Sequence, residues 1–168
     1  MRKNTRHLTH CAMIGALYVV LTYMQNIIFP DSTSMAIQFR ASEALCVLAL
    51  FTSAAVPGLT LGTLLFNITS AQALPLDFLL GSLATFLAAV FIRKSRGLTL
   101  RGYPLPALLM PALWNGLIVG WELSVYIGGG FFYNAVLVAV GELVVLLTLG
   151  SALFYALRLR GLDKKLFG

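Results

Sequence analysis

Charge is scarce in this sequence: Lys, Arg, Asp and Glu make up 11% of its 168 residues, against roughly 25% in soluble domains. Histidine is nearly absent too, with only His7 and His10, both close to the N-terminus. The apolar body therefore lacks the commonest metal ligand and the commonest general base. The two cysteines, Cys11 and Cys46, share no CxxC spacing and read as small apolar side chains that define no redox compartment. No HExxH, P-loop or GxSxG motif occurs, so we expect no catalytic site, no metal, no cofactor and no ATP hydrolysis. If the protein moves a solute uphill, the energy comes from elsewhere or an ion travels with it.

What the sequence does have is apolar side chains, 59% of the total. A water-soluble fold has too little polar surface to cover such a core, so the excess is expected to face lipid. The length allows a single domain over 1–168 with about six crossings of ~20 residues. Apolar runs, turn residues and basic breaks place all-α transmembrane helices at about 8–29, 37–54, 58–72, 75–92, 104–122 and 132–157. Pro57-Gly58 makes a tight turn, and Gly128-Gly129-Gly130 opens the last connection. The first apolar run is longer than a signal-peptide core, and Phe29-Pro30-Asp31 offers no small-residue cleavage site, so the helix is read as retained.

The formal charge of +6 does not imply nucleic acid, because the bases sit at the ends of apolar runs. With the N-terminus inside, Arg2, Lys3, Arg6, Arg93, Lys94, Arg96, Arg101, Arg158, Arg160, Lys164 and Lys165 all become cytoplasmic. Only Arg40, of 12 bases, is left out. The positive-inside rule thus predicts six helices with both termini cytoplasmic.

Polar groups within a bilayer are costly, so each needs an account. Arg40, Glu43, Asp77 and Glu122 fall near the outer ends of their helices, and Asn67 lies in the outer half of the third. Asn115 and Glu142 lie about ten residues from a helix end, or ~15 Å in, near the midplane. Convergence on the outer half suggests a pocket open to the outside. Asn115 and Glu122, seven apart, share a face, and Trp114 and Trp121 make an adjacent aromatic stripe. Arg40 and Glu43, three apart, can pair. Each has a structural alternative: an ion pair that closes the second helix, a carboxylate on a helix dipole at Asp77, and core or interfacial packing for the tryptophans. Glu142 has no cheap structural role. The sequon Asn67-Ile68-Thr69 lies inside a helix and is set aside.

Gln38-Phe39-Arg40-Ala41-Ser42-Glu43-Ala44-Leu45, the Val56-Pro57-Gly58-Leu59 turn with Gly62 and Asn67, and Asp77 through Thr85 resemble the QueT-type queuosine-precursor transporter family. So do Asn115 with Ile118-Val119-Gly120 and Glu122, and Gly141-Glu142. The sequence departs from the family pattern around Thr63-Leu64-Leu65-Phe66 and in the loop at 124–133. The resemblance implies a six-helix, substrate-binding S component of an energy-coupling factor (ECF) transporter in a prokaryotic cytoplasmic membrane. Its implied partners are a transmembrane T component and two ATP-binding subunits, with Ala12 and Ala16, and Gly15 between them, as the docking motif on the first helix. Small residues four apart let another helix approach closely, although ordinary intramolecular packing uses them in the same way.

The implied ligand is a 7-deazaguanine-type base, whose adjacent N–H donors suit a carboxylate. Glu142, Asn115, Glu122, Arg40, Glu43, Asp77 and Asn67 are the candidate polar contacts, and Trp114 or Trp121 offers a stacking face. An aminomethyl substituent would favour a further acid. The alternatives are a stand-alone secondary carrier with Glu142 as its ion site, and a membrane enzyme acting on lipid.

Overall fold

A computed structural model describes residues 2–30, 32 and 38–167. The expected start of the second helix at 37, and most of the loop before it, lie outside the described residues. Those described form helices and connections, with no strand among them. α1 (Arg2–Ile28) leads to a 3-10 helix (Ala41–Leu50), then α2 (Ala55–Thr69) and α3 (Asp77–Lys94). A short α4 (Leu105–Leu108) precedes α5 (Met110–Tyr126). α6 (Phe131–Val145) runs through a π turn (Leu146–Gly150) into α7 (Ser151–Leu159), and α8 (Leu162–Phe167) is the last described element. Among the described residues, three stretches are long and apolar enough to cross a membrane: Asn4–Ile28, Leu105–Tyr126 and Phe131–Leu159.

The second segment corrects the sequence reading. A helix of membrane-crossing length was expected over 37–54; the chain forms instead a ten-residue 3-10 helix preceded by extended backbone. Such runs rarely exceed a few residues, so packing must hold this one. Ser42 through Ala49 are all buried, which makes the segment the central strut of the bundle. Leu45, Cys46, Val47, Leu48 and Ala49 meet Ile14 and Tyr18 of α1, Leu59 of α2, Ile92 of α3, Leu108 of α4 and Leu146 of the π turn in one apolar core. A side-chain amide fixes its start. Gln25 Oε1 accepts from the Ala41 N–H at 2.7 Å, and Gln25 Nε2 donates to the Phe39 carbonyl.

Two helix crossings are close because they lack side chains. A Cβ on Gly15 would stand 2.9 Å from the Gly58 carbonyl oxygen, and one on Gly62 would stand 2.9 Å from that of Gly15. This pins α1 to α2. Likewise a Cβ on Gly120 would meet the Ala135 backbone at 2.6 Å, where α5 crosses α6. The α5–α6 connection contains Gly128, Gly129 and Gly130 with φ of 92°, 83° and 82°, a left-handed path natural only for glycine. Asn134 Nδ2 holds it by donating to the Gly128 carbonyl at 2.7 Å.

The two ends of the bundle differ in chemistry. Arg6 Nη2 donates to the Leu166 carbonyl, the His10 ring packs edge-on against Phe167, and Arg93 Nη1 donates to the Ala49 carbonyl. Tyr103 and Ser151 hydrogen bond alongside. These contacts gather the start of α1, the end of α3, the 95–103 loop and α7–α8 at one basic end. The segment 38–40 and the 70–77 and 127–130 connections lie at the other.

Candidate functional site

The polar residues inside the bundle form one connected group around the start of the 3-10 helix. Tyr18, fully buried, donates from Oη to Glu43 Oε1 at 2.5 Å, and Cys46 Sγ donates to Glu43 Oε2 at 3.1 Å. Both oxygens of Glu43 are thus engaged by protein donors. One turn outward, Thr22 Oγ1 bonds to Ser42 Oγ at 2.7 Å. Arg40, at the N-cap, has Tyr18, Glu43 and Glu142 as charged or polar neighbours, and its Nη2 donates to Gln38 Oε1 at 3.3 Å.

Glu142 reaches this group from α6. Its Oε1 accepts from Asn115 Nδ2 at 3.1 Å, whereas no donor among the described residues reaches Oε2, and the side chain is only 4% exposed. The neighbouring Gly141 is needed for the segment before the 3-10 helix to pass. A Cβ there would stand 2.3 Å from the Gln38 carbonyl oxygen, so Gln38 lies directly over α6 beside Glu142.

A second pair of acids lies toward the α3 N-terminus. Asp77 Oδ2 accepts from the Leu74 N–H at 2.7 Å, and Asn67 Nδ2 donates to the Asp77 carbonyl at 2.7 Å. Gly81 makes room for that amide, since a Cβ would stand 2.7 Å from it. Beside Asp77 is Glu122 of α5, fully buried; the two carboxyls lie within side-chain hydrogen-bond range of each other, and no other donor among the described residues reaches Glu122. Four of the six acids in the sequence, Glu43, Asp77, Glu122 and Glu142, therefore share the interior with Arg40.

A cavity of about 180 Å³ opens beside them, at the end opposite the basic residues. Gln38, Arg40, Phe66, Asn67, Asp77 and Leu123 are among the residues that line it. The Arg40 guanidinium lies 5.9 Å from the Phe66 ring centre, in the range of a cation–π contact.

The structure thus brings together Arg40, Glu43, Asn115 and Glu142, and sets Asp77, Glu122 and Asn67 beside them. It does not bring in the tryptophans. Trp121 is 49% exposed on the outer surface, and Trp114 packs against Phe91 of α3 at 5.2 Å. Sequence reasoning missed Tyr18, Gln38 and Phe66. The two aromatics look like ordinary apolar-helix residues, and Gln38 stands out in the sequence only as the first residue of the Gln38–Leu45 motif.

On α1 the small residues separate by face. Gly15 is buried in the crossing with α2, while Ala12 and Ala16 are exposed together with Met13, Leu17 and Val20.

No curated protein and no solved structure matches the chain. One family model, described as QueT transporter, matches residues 8–159, nearly the whole length. The chain belongs to the QueT transporter family, a family of transporters.

Proposed function

We propose that the protein is the substrate-binding S component of an ATP-driven ECF importer and takes up a queuosine precursor of the 7-deazaguanine type. The family supports the transport role. The observation that carries the ligand reading is a buried acceptor without a donor among the described residues, Glu142 Oε2, next to Arg40, which lines a cavity of about 180 Å³. Buried acceptors are normally satisfied, and a deazaguanine edge supplies adjacent N–H donors. In this reading Glu142 accepts from the base edge, with Asn115 holding the carboxylate in place. Glu43, its two oxygens engaged, orders Arg40. Phe66 supplies the aromatic face on which a flat ring rests, the role first expected of Trp114 or Trp121.

In the proposed topology six segments traverse the membrane and the basic end faces the cytoplasm, so the cavity opens outward. The ten residues of the 3-10 helix rise about 20 Å at ~2.0 Å per residue, and the flanking extended chain makes up the remaining depth. A T component and two ATP-binding subunits complete the importer, and the exposed Ala12–Ala16 face of α1 is the proposed docking surface.

The test is ligand identification. Protein purified in detergent should release a 7-deazaguanine, read by mass spectrometry, and should bind it on titration. Uptake by the protein alone, without ATPase partners, would favour a secondary carrier instead.

A further inference from the structure

The loop that follows α3 is a fixed projection rather than a slack connection. Ser95 Oγ closes the helix end by donating to the Phe91 carbonyl at 2.7 Å, and the Leu98 N–H donates to the Ser95 carbonyl at 2.8 Å. Leu100 and Tyr103 then exchange backbone hydrogen bonds of 2.8 and 3.0 Å across Arg101 and Gly102. Those two residues have φ of 52° and 81°, a doubly left-handed turn that asparagine and glycine usually fill. Arg101 is the only non-glycine residue with positive φ among the described residues, and a side chain kept in so sparse a conformation points to a function. Tyr103 anchors the far side of the turn through its bond to Ser151 and by stacking on Tyr155, with ring centres 6.1 Å apart.

The turn presents two leucines between two arginines. Leu98 and Leu100 are 61% and 59% exposed and belong to neither apolar cluster of the bundle. Arg96 and Arg101 are exposed on either side of them, and Arg93 at the end of α3 has Arg96 as its charged neighbour. Asp163 of α8 is the one acid among the described residues at this end. Crowded bases call for an anion, and bare leucines call for hydrocarbon. A free phosphate meets only the first demand. An anionic lipid meets both, with a headgroup for the arginines and acyl chains for the leucines. Apolar surface leads up to the loop as well, since Leu79, Leu83 and Phe86 of α3 are exposed.

We propose that the 96–101 loop is a contact site for anionic phospholipid, in which Arg96 and Arg101 hold the phosphate and Leu98 and Leu100 enter the bilayer beside it. The site goes beyond the uptake reading and does not depend on which solute occupies the cavity.

The test reads which lipid surrounds the loop. Cys11 and Cys46 are buried, so Leu98→Cys or Leu100→Cys can be labelled selectively with an environment-sensitive fluorophore. Each labelled protein is reconstituted in vesicles of equal parts phosphatidylcholine and phosphatidylglycerol, with brominated chains on one lipid or the other. Bromine quenches on contact, so unselective surroundings give equal quenching. Brominated phosphatidylglycerol should quench at least about twofold more strongly, given the attraction of each base to an anionic surface. Arg96→Gln/Arg101→Gln should equalise the two lipids, whereas Arg96→Lys/Arg101→Lys should keep the preference. Melting of each variant reports whether the fold is intact; if the double glutamine variant melts early, Arg96→Gln alone, clear of the left-handed turn, should still reduce the preference. No quenching by either lipid would put the loop in water, open to a protein partner, and overturn the proposal. Equal quenching in the wild type would overturn it too. So would a preference that survives loss of the arginines, which would belong to the bases of α7 and α8.

Discussion

Glu142→Gln separates recognition from folding, because the two oxygens of Glu142 have different surroundings. Oε1 accepts from Asn115 at 3.1 Å, and a glutamine carbonyl placed there accepts the same bond. Oε2 is buried without a donor among the described residues, and in the variant an amide NH₂ takes its place. The empty protein therefore keeps the Asn115 bond, and the relief from no longer burying an acid is set against the lost attraction to Arg40. Its melting temperature should change little. Ligand binding should weaken, since a base-edge N–H would then meet an N–H. Spoiling a buried charged hydrogen bond costs ~2–5 kcal/mol, which at ~1.4 kcal/mol per decade is from about thirtyfold to several thousandfold in Kd. The assay is titration of a 7-deazaguanine into purified protein, with melting followed in parallel. Val144→Ala is the control, because Val144 is 45% exposed on the outer face of α6 and alters only apolar surface. Near-normal affinity in Glu142→Gln would refute the assignment and pass the base edge to Glu122 or Asp77. Glu43 would not inherit it.

Further substitutions probe the remaining elements. Tyr18→Phe removes the 2.5 Å donor to a fully buried Glu43 and should cost ~1.5–3 kcal/mol of stability, read as a lower melting temperature; an unchanged melt would mean that the bond contributes nothing. On α1, Gly15→Leu should prevent folding, because even a Cβ would meet the Gly58 carbonyl oxygen at 2.9 Å. Ala16→Leu, on the exposed face, should leave folding and ligand binding intact and abolish uptake in the presence of the T component and ATPases. Full uptake by Ala16→Leu would remove that face as the docking surface. Reporter fusions after Lys165 and within the 93–101 loop should read as cytoplasmic, and one at Ser32 as external; an external C-terminus would end the six-crossing topology.

Most helices were legible because lipid-facing runs need no amphipathic pattern, only length and charged or glycine-rich breaks. The expected 132–157 corresponds to the continuous stretch Phe131–Leu159, and the expected 58–72 to Ala55–Thr69. The 3-10 helix was not legible. A segment that is apolar all round shows no period by which one helix type can be told from another. Its geometry is set from outside, by the Gln25 side chain on the backbone of residues 39 and 41 and by neighbours on every side. Gln25 was the available clue: an amide near the end of an apolar run needs something to bond.

The same logic explains which residues of the candidate site could be read in advance. Arg40, Glu43, Asp77, Asn115, Glu122 and Glu142 stand out because a polar group in hydrocarbon must be paired or functional, and all six lie in or beside the group around the cavity. The acids still differ in role, and that difference lies in donors the sequence does not flag. Glu43 is engaged by a tyrosine and a cysteine, both of which pass as ordinary residues of apolar helices. Glu142 has one amide partner, and Glu122 has no donor among the described residues besides the Asp77 carboxyl. The tryptophan stripe lies apart from the group for a geometric reason: a spacing of seven shares a face, but it does not say which neighbour that face meets. Asn115 and Glu122, one position along from the tryptophans, turn into the bundle, and that rotation leaves Trp121 on the outer surface. An aromatic stripe beside a buried polar stripe thus belongs to the flank of its helix, and in the proposed site the ring that meets a flat solute is sought on another. Phe66 of α2, which lines the cavity under Arg40, meets that requirement.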